Sequence, residues 1–181
     1  MKKDNIWFTR KARIRASERL LSNDFHSQCL LVYYSALLAI VSILDLKYNL
    51  IFNGKSSEIL CALSVLVLVG SLFISSVNFK GRGLAFKDNY IALQALYERI
   101  DIRHSPVLHK QDIDDYLELL KNCENHSPLD DLYARVIAGS GLTSRIPSKL
   151  DVAWLCFNIF FRFIFLSVLY VLPIALLYMF W

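Results

Sequence analysis

No two of the four cysteines in this 181-residue sequence stand in a CxxC pair, so neither a zinc ribbon nor a redox dithiol is encoded. Cys29, Cys61, Cys123 and Cys156 are isolated, three of them within or beside apolar stretches, and read as small hydrophobes. His26, His104, His109 and His126 belong to no HExxH or Cys/His cluster. The chain has no GxSxG, no phosphate-binding GxxxxGK[ST], no kinase set and no paired catalytic carboxylates. Nothing here points to an enzyme, a cofactor or a metal. Strict apolar/polar alternation is also missing, which excludes a barrel or sheet and leaves an all-α chain.

Charge is what the sequence lacks in the most telling places. Residues 25–44 and 59–79 contain no Asp, Glu, Lys or Arg, and at 1.5 Å rise per residue each is long enough for a ~30 Å hydrocarbon core. Hydrophobic residues make up 55% of the chain, above the roughly 45–50% of an average soluble one, and the excess is concentrated in three blocks. The expected fold is an all-α membrane protein. An N-terminal helix continues into a transmembrane hairpin with spans at about 25–46 and 59–79. A small set of cytoplasmic helices follows at 84–138, then a C-terminal hydrophobic helix. Residues 45–58, with Asn53 and Gly54, supply the hairpin turn. The first block is no signal peptide, because a largely charged stretch precedes it and no cleavage pattern follows.

The net charge of +4 sits almost entirely at one end. Residues 1–28 carry seven Lys or Arg against three acidic residues, while residues 80–151 carry ten against eleven. Basic residues before the first span, and Lys80, Arg82 and Lys87 after the second, outnumber Lys47 and Lys55 in the turn. The positive-inside rule therefore sets the N-terminus in the cytoplasm. Arg10, Lys11, Arg13, Arg15 and Arg19 are expected on a helix from Thr9, its cap, to Asp24, whose apolar face is Ala12, Ala16 and Leu20. Anionic lipid headgroups are their expected partner, and direct nucleic-acid binding is not expected.

Beyond the second span, Lys80-Gly-Arg-Gly83 reads as an interfacial break, and Phe86, Tyr90, Leu93 and Tyr97 recur at helical spacing. Ser105-Pro106 ends that helix. The next one, from Lys110, presents Ile113, Tyr116, Leu117 and Leu120, with Asp112, Asp114 and Asp115 in its first turn, where the macrodipole alone favours them. Ser127-Pro128 signals an N-cap and first helical position, with Leu129, Leu132, Tyr133, Val136 and Ile137 as the apolar face and Gly139-Ser-Gly141 as the stop. Glu124 and His126 beside Asp130 and Asp131 form the only compact polar cluster, and caps want these same residue types.

The third block, residues 152–181, follows a linker at 138–151 and is interrupted by Arg162 and Pro173. The expected reading is an interfacial stretch, 152–161, then a third span kinked at Pro173, with Arg162 snorkelling to the interface. The alternative is one helix through the whole block, with Arg162 facing a protein interior or pore. Ser35, Ser42, Ser64, Ser71, Ser75, Ser76 and Asn78 are candidates for pore lining or for ordinary helix packing. Arg99, Arg103, Arg135, Glu124, His126 and Arg162 are regulatory candidates, with nucleotide sensing by the cytoplasmic helices assigned to Arg99, Arg103 or Arg135.

Ordered blocks along the chain carry a resemblance. Thr9-Arg-Lys-Ala-Arg-Ile-Arg-Ala-Ser-Glu-Arg-Leu-Leu21 leads into a span with Tyr33-Tyr34-Ser35. Phe86-Lys-Asp-Asn-Tyr90 with Leu93-Gln94 and Leu96-Tyr97, then Tyr116-Leu-Glu-Leu-Leu120 and Glu124-Asn-His126, follow the hairpin. Together they resemble the SLATT family, the SMODS and SLOG-associating two-transmembrane effectors. The likeness covers about residues 5–137, assigned as a SLATT-like domain over 1–137. It implies a homo-oligomeric effector of bacterial antiphage defence that permeabilises the inner membrane and causes abortive infection. The implied partner is a nucleotide synthase or reverse transcriptase whose nucleotide product is the trigger. The alternative is a membrane anchor or adaptor that recruits a cytosolic defence enzyme. The family lends no catalytic residues.

Overall fold

The structure, a computed structural model, describes residues 3–48, 56–103, 108–137 and 145–180. The described residues form six helices and no strand: α1 (Lys3–Tyr48), α2 (Ser56–Val77), α3 (Phe79–Ile102), α4 (Lys110–Lys121), α5 (Pro128–Ile137) and α6 (Lys149–Phe180). The expected all-α class is therefore observed. Apolar stretches in α1, α2 and α6 are each long enough to cross a membrane. The breaks expected at Asn53-Gly54, Ser105-Pro106 and Gly139-Ser-Gly141 lie outside the described residues. The chain divides into two compact units, Met1–Ser22 with Lys80–Asn158, and Asn23–Phe79 with Ile159–Trp181.

The first unit is built on an antiparallel pair, the start of α1 against α3. Lys3 pairs with Asp101, Arg10 with Gln94, Arg13 with Asn89, and the Ser17 hydroxyl donates to the Gly83 carbonyl at 2.8 Å. Beside these contacts Ile6, Ala12, Ala16 and Leu20 of α1 are buried, and the four-residue steps from Ala12 to Leu20 are those of a helix stripe. From α3 come Gly83, Phe86, Asn89, Leu93, Leu96 and Ile100. Tyr116 of α4 closes a cluster with Ile6, Leu93, Leu96 and Ile100.

Several expectations need correction here. Thr9 is no cap, because α1 starts upstream of it, and its hydroxyl instead lies 2.8 Å from that of Tyr116. Lys80-Gly-Arg-Gly83 is no break but part of α3. Gly83 sits in a close packing contact, since a Cβ there would stand 3.0 Å from Leu21 Cγ and press on that side chain. The interruption falls one turn earlier at Asn78, whose φ of 50° is a left-handed conformation that asparagine tolerates better than most residues. On α4 and α5 the apolar sets are only partly inward. Leu117, Leu129 and Ile137 are exposed, whereas Asp112, Asp130, Leu132 and Ala134 are buried. Half-exposed arginines pair with the buried Asp112 and Asp130, so those two helices present inward faces that hydrophobicity alone does not select.

In the second unit, α1 and α2 meet through Val41 and Leu60, with Leu38 beside them. Helix α6 runs parallel to α1, because Asn23 meets Arg162 while Tyr33 and Tyr34, further on, meet Tyr170 and Leu169. The block expected as an interfacial stretch followed by a span forms one unbroken helix. Helix α6 is continuous through Arg162 and Pro173 from Lys149 onward, opened by a reciprocal cap in which Ser148 N donates to Asp151 at 2.9 Å and Asp151 N to Ser148 Oγ at 3.1 Å. Arg162 tolerates a mid-helix position because Asn23 Oδ1 accepts its hydrogen bond at 2.7 Å. The continuous helix of the alternative is observed, with Arg162 half-buried against Asn23.

Candidate functional site

An ionisable side chain inside an apolar helix is the first place to look for function. In the second unit such groups form a ladder between α1 and α6. Asn23, His26, Tyr33 and Tyr34 lie along one side of α1, and each reaches α6. Below Asn23 and Arg162, the His26 ring nitrogen lies 3.3 Å from the Tyr170 hydroxyl, with the rings edge to face at 6.3 Å. The Tyr33 hydroxyl donates to the Tyr170 carbonyl at 3.0 Å and the Tyr34 hydroxyl to the Leu169 carbonyl at 2.9 Å.

The Leu169 carbonyl is the one that Pro173 strands. Proline has no N–H to offer the carbonyl four residues before it, here Leu169, and its ring crowds that turn. In water the stranded oxygen would be hydrated, but in hydrocarbon it must be paired within the protein. Tyr34 supplies that donor, and Tyr33 serves the next carbonyl along. The seam thus joins α6 to α1 at the point where α6 is weakest. Pro173 and the Tyr33-Tyr34 pair were visible in the sequence, but their pairing required knowing that α1 and α6 are neighbours.

The serine candidates behave differently. Ser42 and Ser64 donate to carbonyls of their own helices, Leu38 and Leu60, at 2.8 Å, and Ser71 and Ser76 to Leu68 and Phe73 at 2.7 Å. Ser35 and Ser75 are exposed. Asn78 N donates to Ser75 O at 3.3 Å, in the turn between α2 and α3. The structure does not bring these seven residues together at one place.

Of the basic residues of α1, Arg13 is drawn into the interior of the first unit, and Arg10, Lys11, Arg15 and Arg19 are half-buried. Arg13 is 0% exposed. Its Nη1 donates to Asn89 Oδ1 and, at 3.1 Å, to Leu119 O, while Nε and Nη2 have no partner among the described residues. Burial lowers its pKa from the ordinary arginine value, with Cys123 and Tyr116 opposing. Arg13 is therefore no headgroup contact. Arg19 grips Asp130 with two bonds of 2.9 Å. Asp130 also caps α5, accepting from Ser127 N at 3.0 Å and Ser127 Oγ at 2.7 Å. Burial alone would raise the Asp130 carboxyl, but Arg19 and Ser127 more than reverse this and hold it below the usual carboxylate range. Arg10 and Arg15 lie over the rings of Tyr97 and Tyr133 at 5.4 and 3.7 Å, and Lys11 over Trp7 at 5.7 Å.

The charged regulatory candidates of the first unit are partnered too. Arg99 and Arg103 both bind Asp112, the former also Asp115, and Arg135 binds Asp131 at 3.0 Å. Glu124 pairs with Arg82 at 2.9 Å. Among the described residues no hydrogen bond joins Glu124 to His126. His126 is half-buried, its Nδ1 has no partner among the described residues, and burial depresses its pKa. The same residues contain no group of His, Cys, Asp or Glu arranged to hold a metal.

A family model for the "SMODS and SLOG-associating 2TM effector domain family 5" matches residues 1–180. The chain belongs to the SLATT family. The match runs well beyond residues 5–137 and takes in α6, so the helix carrying Arg162 and Pro173 lies within the SLATT match. Comparisons with curated proteins and with solved structures return no match. As a SLATT chain it is a membrane effector domain, and its apolar helices fit that setting.

Proposed function

We propose that this SLATT chain is an antiphage-defence effector that oligomerises in the bacterial inner membrane, N-terminus inside, and permeabilises it when a partner nucleotide synthase or reverse transcriptase signals infection. One observation supports this most strongly: the spanning helices bury almost nothing within a single copy. Along α2, Val65, Leu68 and Leu72 are 53%, 59% and 63% exposed. Nothing stands within 4 Å of where a Gly70 side chain would begin. Three thin helices do not enclose a water path, so conduction requires several copies, and a small residue over open space permits close approach of another helix. Expression with phage challenge should produce propidium entry and loss of membrane potential before lysis. Growth arrest with an intact potential would count decisively against permeabilisation.

A second reading, an anchor or adaptor for a cytosolic defence enzyme, is supported by the exposed Leu84 and Ile91, which lie on α3 away from its buried stripe. Replacing the spans by unrelated ones separates the two: an adaptor keeps its function and a permeabilising assembly loses it.

A further inference from the structure

Three charged side chains of the first unit are almost completely buried: Arg13, Asp112 and Asp130. Both aspartates have arginine partners. Arg13 has no acidic one. The sixteen Asp and Glu of the chain all fall among the described residues, none of them pairs with Arg13, and the groups whose charge bears on it are Cys123 and Tyr116. An enclosed cation without a counter-charge is costly in a protein interior. The cost falls on one edge of the guanidinium. Nη1 is satisfied by Asn89 Oδ1 and Leu119 O, whereas Nε and Nη2, which share the opposite edge, have no partner among the described residues. That edge is one an arginine presents to two oxygens of a single oxyanion. Arg19 shows it in use, since its Nε and Nη2 hold the two oxygens of Asp130 at 2.9 Å.

A further unpartnered atom lies nearby. His126 Nδ1 is buried without a partner among the described residues, and its ring is close enough for the Arg13 charge to bear on it. We propose that the Nε/Nη2 edge of Arg13 and His126 form a binding site for a phosphoryl group. A carboxylate offers two oxygens, and the arginine edge takes both. A phosphoryl group has a third, which can accept from His126 Nδ1, the protonated nitrogen of one neutral tautomer. The connection between α4 and α5, residues 122–127, carries Cys123 and His126 half-buried and Asn122, Glu124 and Asn125 exposed, so it stands between Arg13 and solvent on that side. Occupancy would act where three helices meet, because Arg13 lies on α1, Asn89 on α3 and Leu119 on α4, and α1 continues into the first span.

The inference does not rest on permeabilisation, so a failed leakage assay leaves it standing and its own readout decides it. The full chain, carrying isotope-labelled arginine, is purified in detergent free of phosphate and phospholipid. It is then titrated near neutral pH and at constant ionic strength with inorganic phosphate, with acetate, or with soluble short-chain phosphatidylglycerol. One arginine Nε–H resonance, absent from Arg13→Lys, should move saturably with phosphate. At ten times the dissociation constant so measured, the melting temperature should rise by about 3–5 °C. Arg13→Lys keeps the charge without the edge and should lose that rise, whereas Arg15→Met, which removes a half-buried cation elsewhere on α1, should keep it. His126→Gln should weaken phosphate binding several-fold, which keeps the test open if Arg13→Lys does not fold. A response to phosphatidylglycerol alone supports the site and makes a lipid headgroup the donor; a response to inorganic phosphate supports it with a soluble one. No response to either phosphoryl compound, as expected if water alone meets the Arg13 edge, would overturn the proposal. So would acetate acting as strongly as phosphate, or a rise reduced equally by Arg13→Lys and Arg15→Met.

Discussion

The two units of this SLATT chain solve the burial problem in opposite ways. The first encloses charge: Arg13, Asp112 and Asp130 are among its most buried side chains, and ion pairs link α1 to α5 and α3 to α4. The second encloses almost nothing and is tied by a few hydrogen bonds across one helix pair. The contrast follows from solvent. In water, a set of short amphipathic helices needs a specified interior, and internal ion pairs supply its register. In lipid, apolar side chains gain little by leaving their surroundings, so only packing and polar contacts hold helices together. The first unit should thus be fragile to single substitutions and the second tolerant of them.

The largest effect should come from Arg19→Ala, which leaves the Asp130 carboxylate enclosed without its cation. Such a loss costs about 3–5 kcal/mol, read as a shifted denaturant midpoint for the detergent-solubilised protein. The same residues set the acid limit. Because the folded Asp130 pKa lies below its unfolded value of about 3.9, its contribution is complete above that pH and is lost as pH falls through the folded value. His126 acts in the same direction from about 6.5 downward, since its folded pKa is also depressed. Melting temperature should decline in two steps on acidification, and His126→Gln should remove the first. A pH-independent melting profile would break the account of the first unit.

Next comes Gly83→Val. With Leu21 Cγ already 3.0 Å from where a Cβ would begin, overpacking should cost about 1–3 kcal/mol. If Gly83 were instead a hinge, valine would leave stability unchanged and alter only function. Within the second unit, Tyr34→Phe should cost less, about 0.6 kcal/mol and at most about 1.7 kcal/mol, because it removes one hydrogen bond inside lipid. Its signature is local: hydrogen exchange should rise around Pro173 and not in α2. Smallest of all, Gly70→Ala should stabilise the single copy by up to about 1 kcal/mol, since nothing lies in the way. Destabilisation there would mean that the second unit is more tightly filled than its exposed helices indicate.

Much of the fold was legible in the sequence for a physical reason: a charge-free run of twenty residues has few fates. The spans, the continuity of α1 into the first of them, and the Ser127-Pro128 helix start all rest on local rules of length and capping. What stayed hidden depended on partners distant in the chain. Arg13 and Arg19 looked like surface charges because nothing adjacent announces Asn89, Leu119 or Asp130. Gly83 reads as part of a break in the sequence because its packing partner, Leu21, lies on another helix. Arg162 looked like a disruption until Asn23 was found beside it. The candidate site was half visible for the same reason, since Pro173 advertised a weak turn and the tyrosines that mend it lie far earlier in the chain.

The serines that fold their hydroxyls back onto their own helices have a consequence for how such a molecule changes surroundings. Ser42, Ser64, Ser71 and Ser76 present no unmet donor to oil, since each proton is already shared with a carbonyl of its own helix. Each oxygen keeps a lone pair that wetting can recruit at little cost. Each of these helix surfaces is consequently at ease against fat or against moisture, and passing from one to the other asks no helix to unwind.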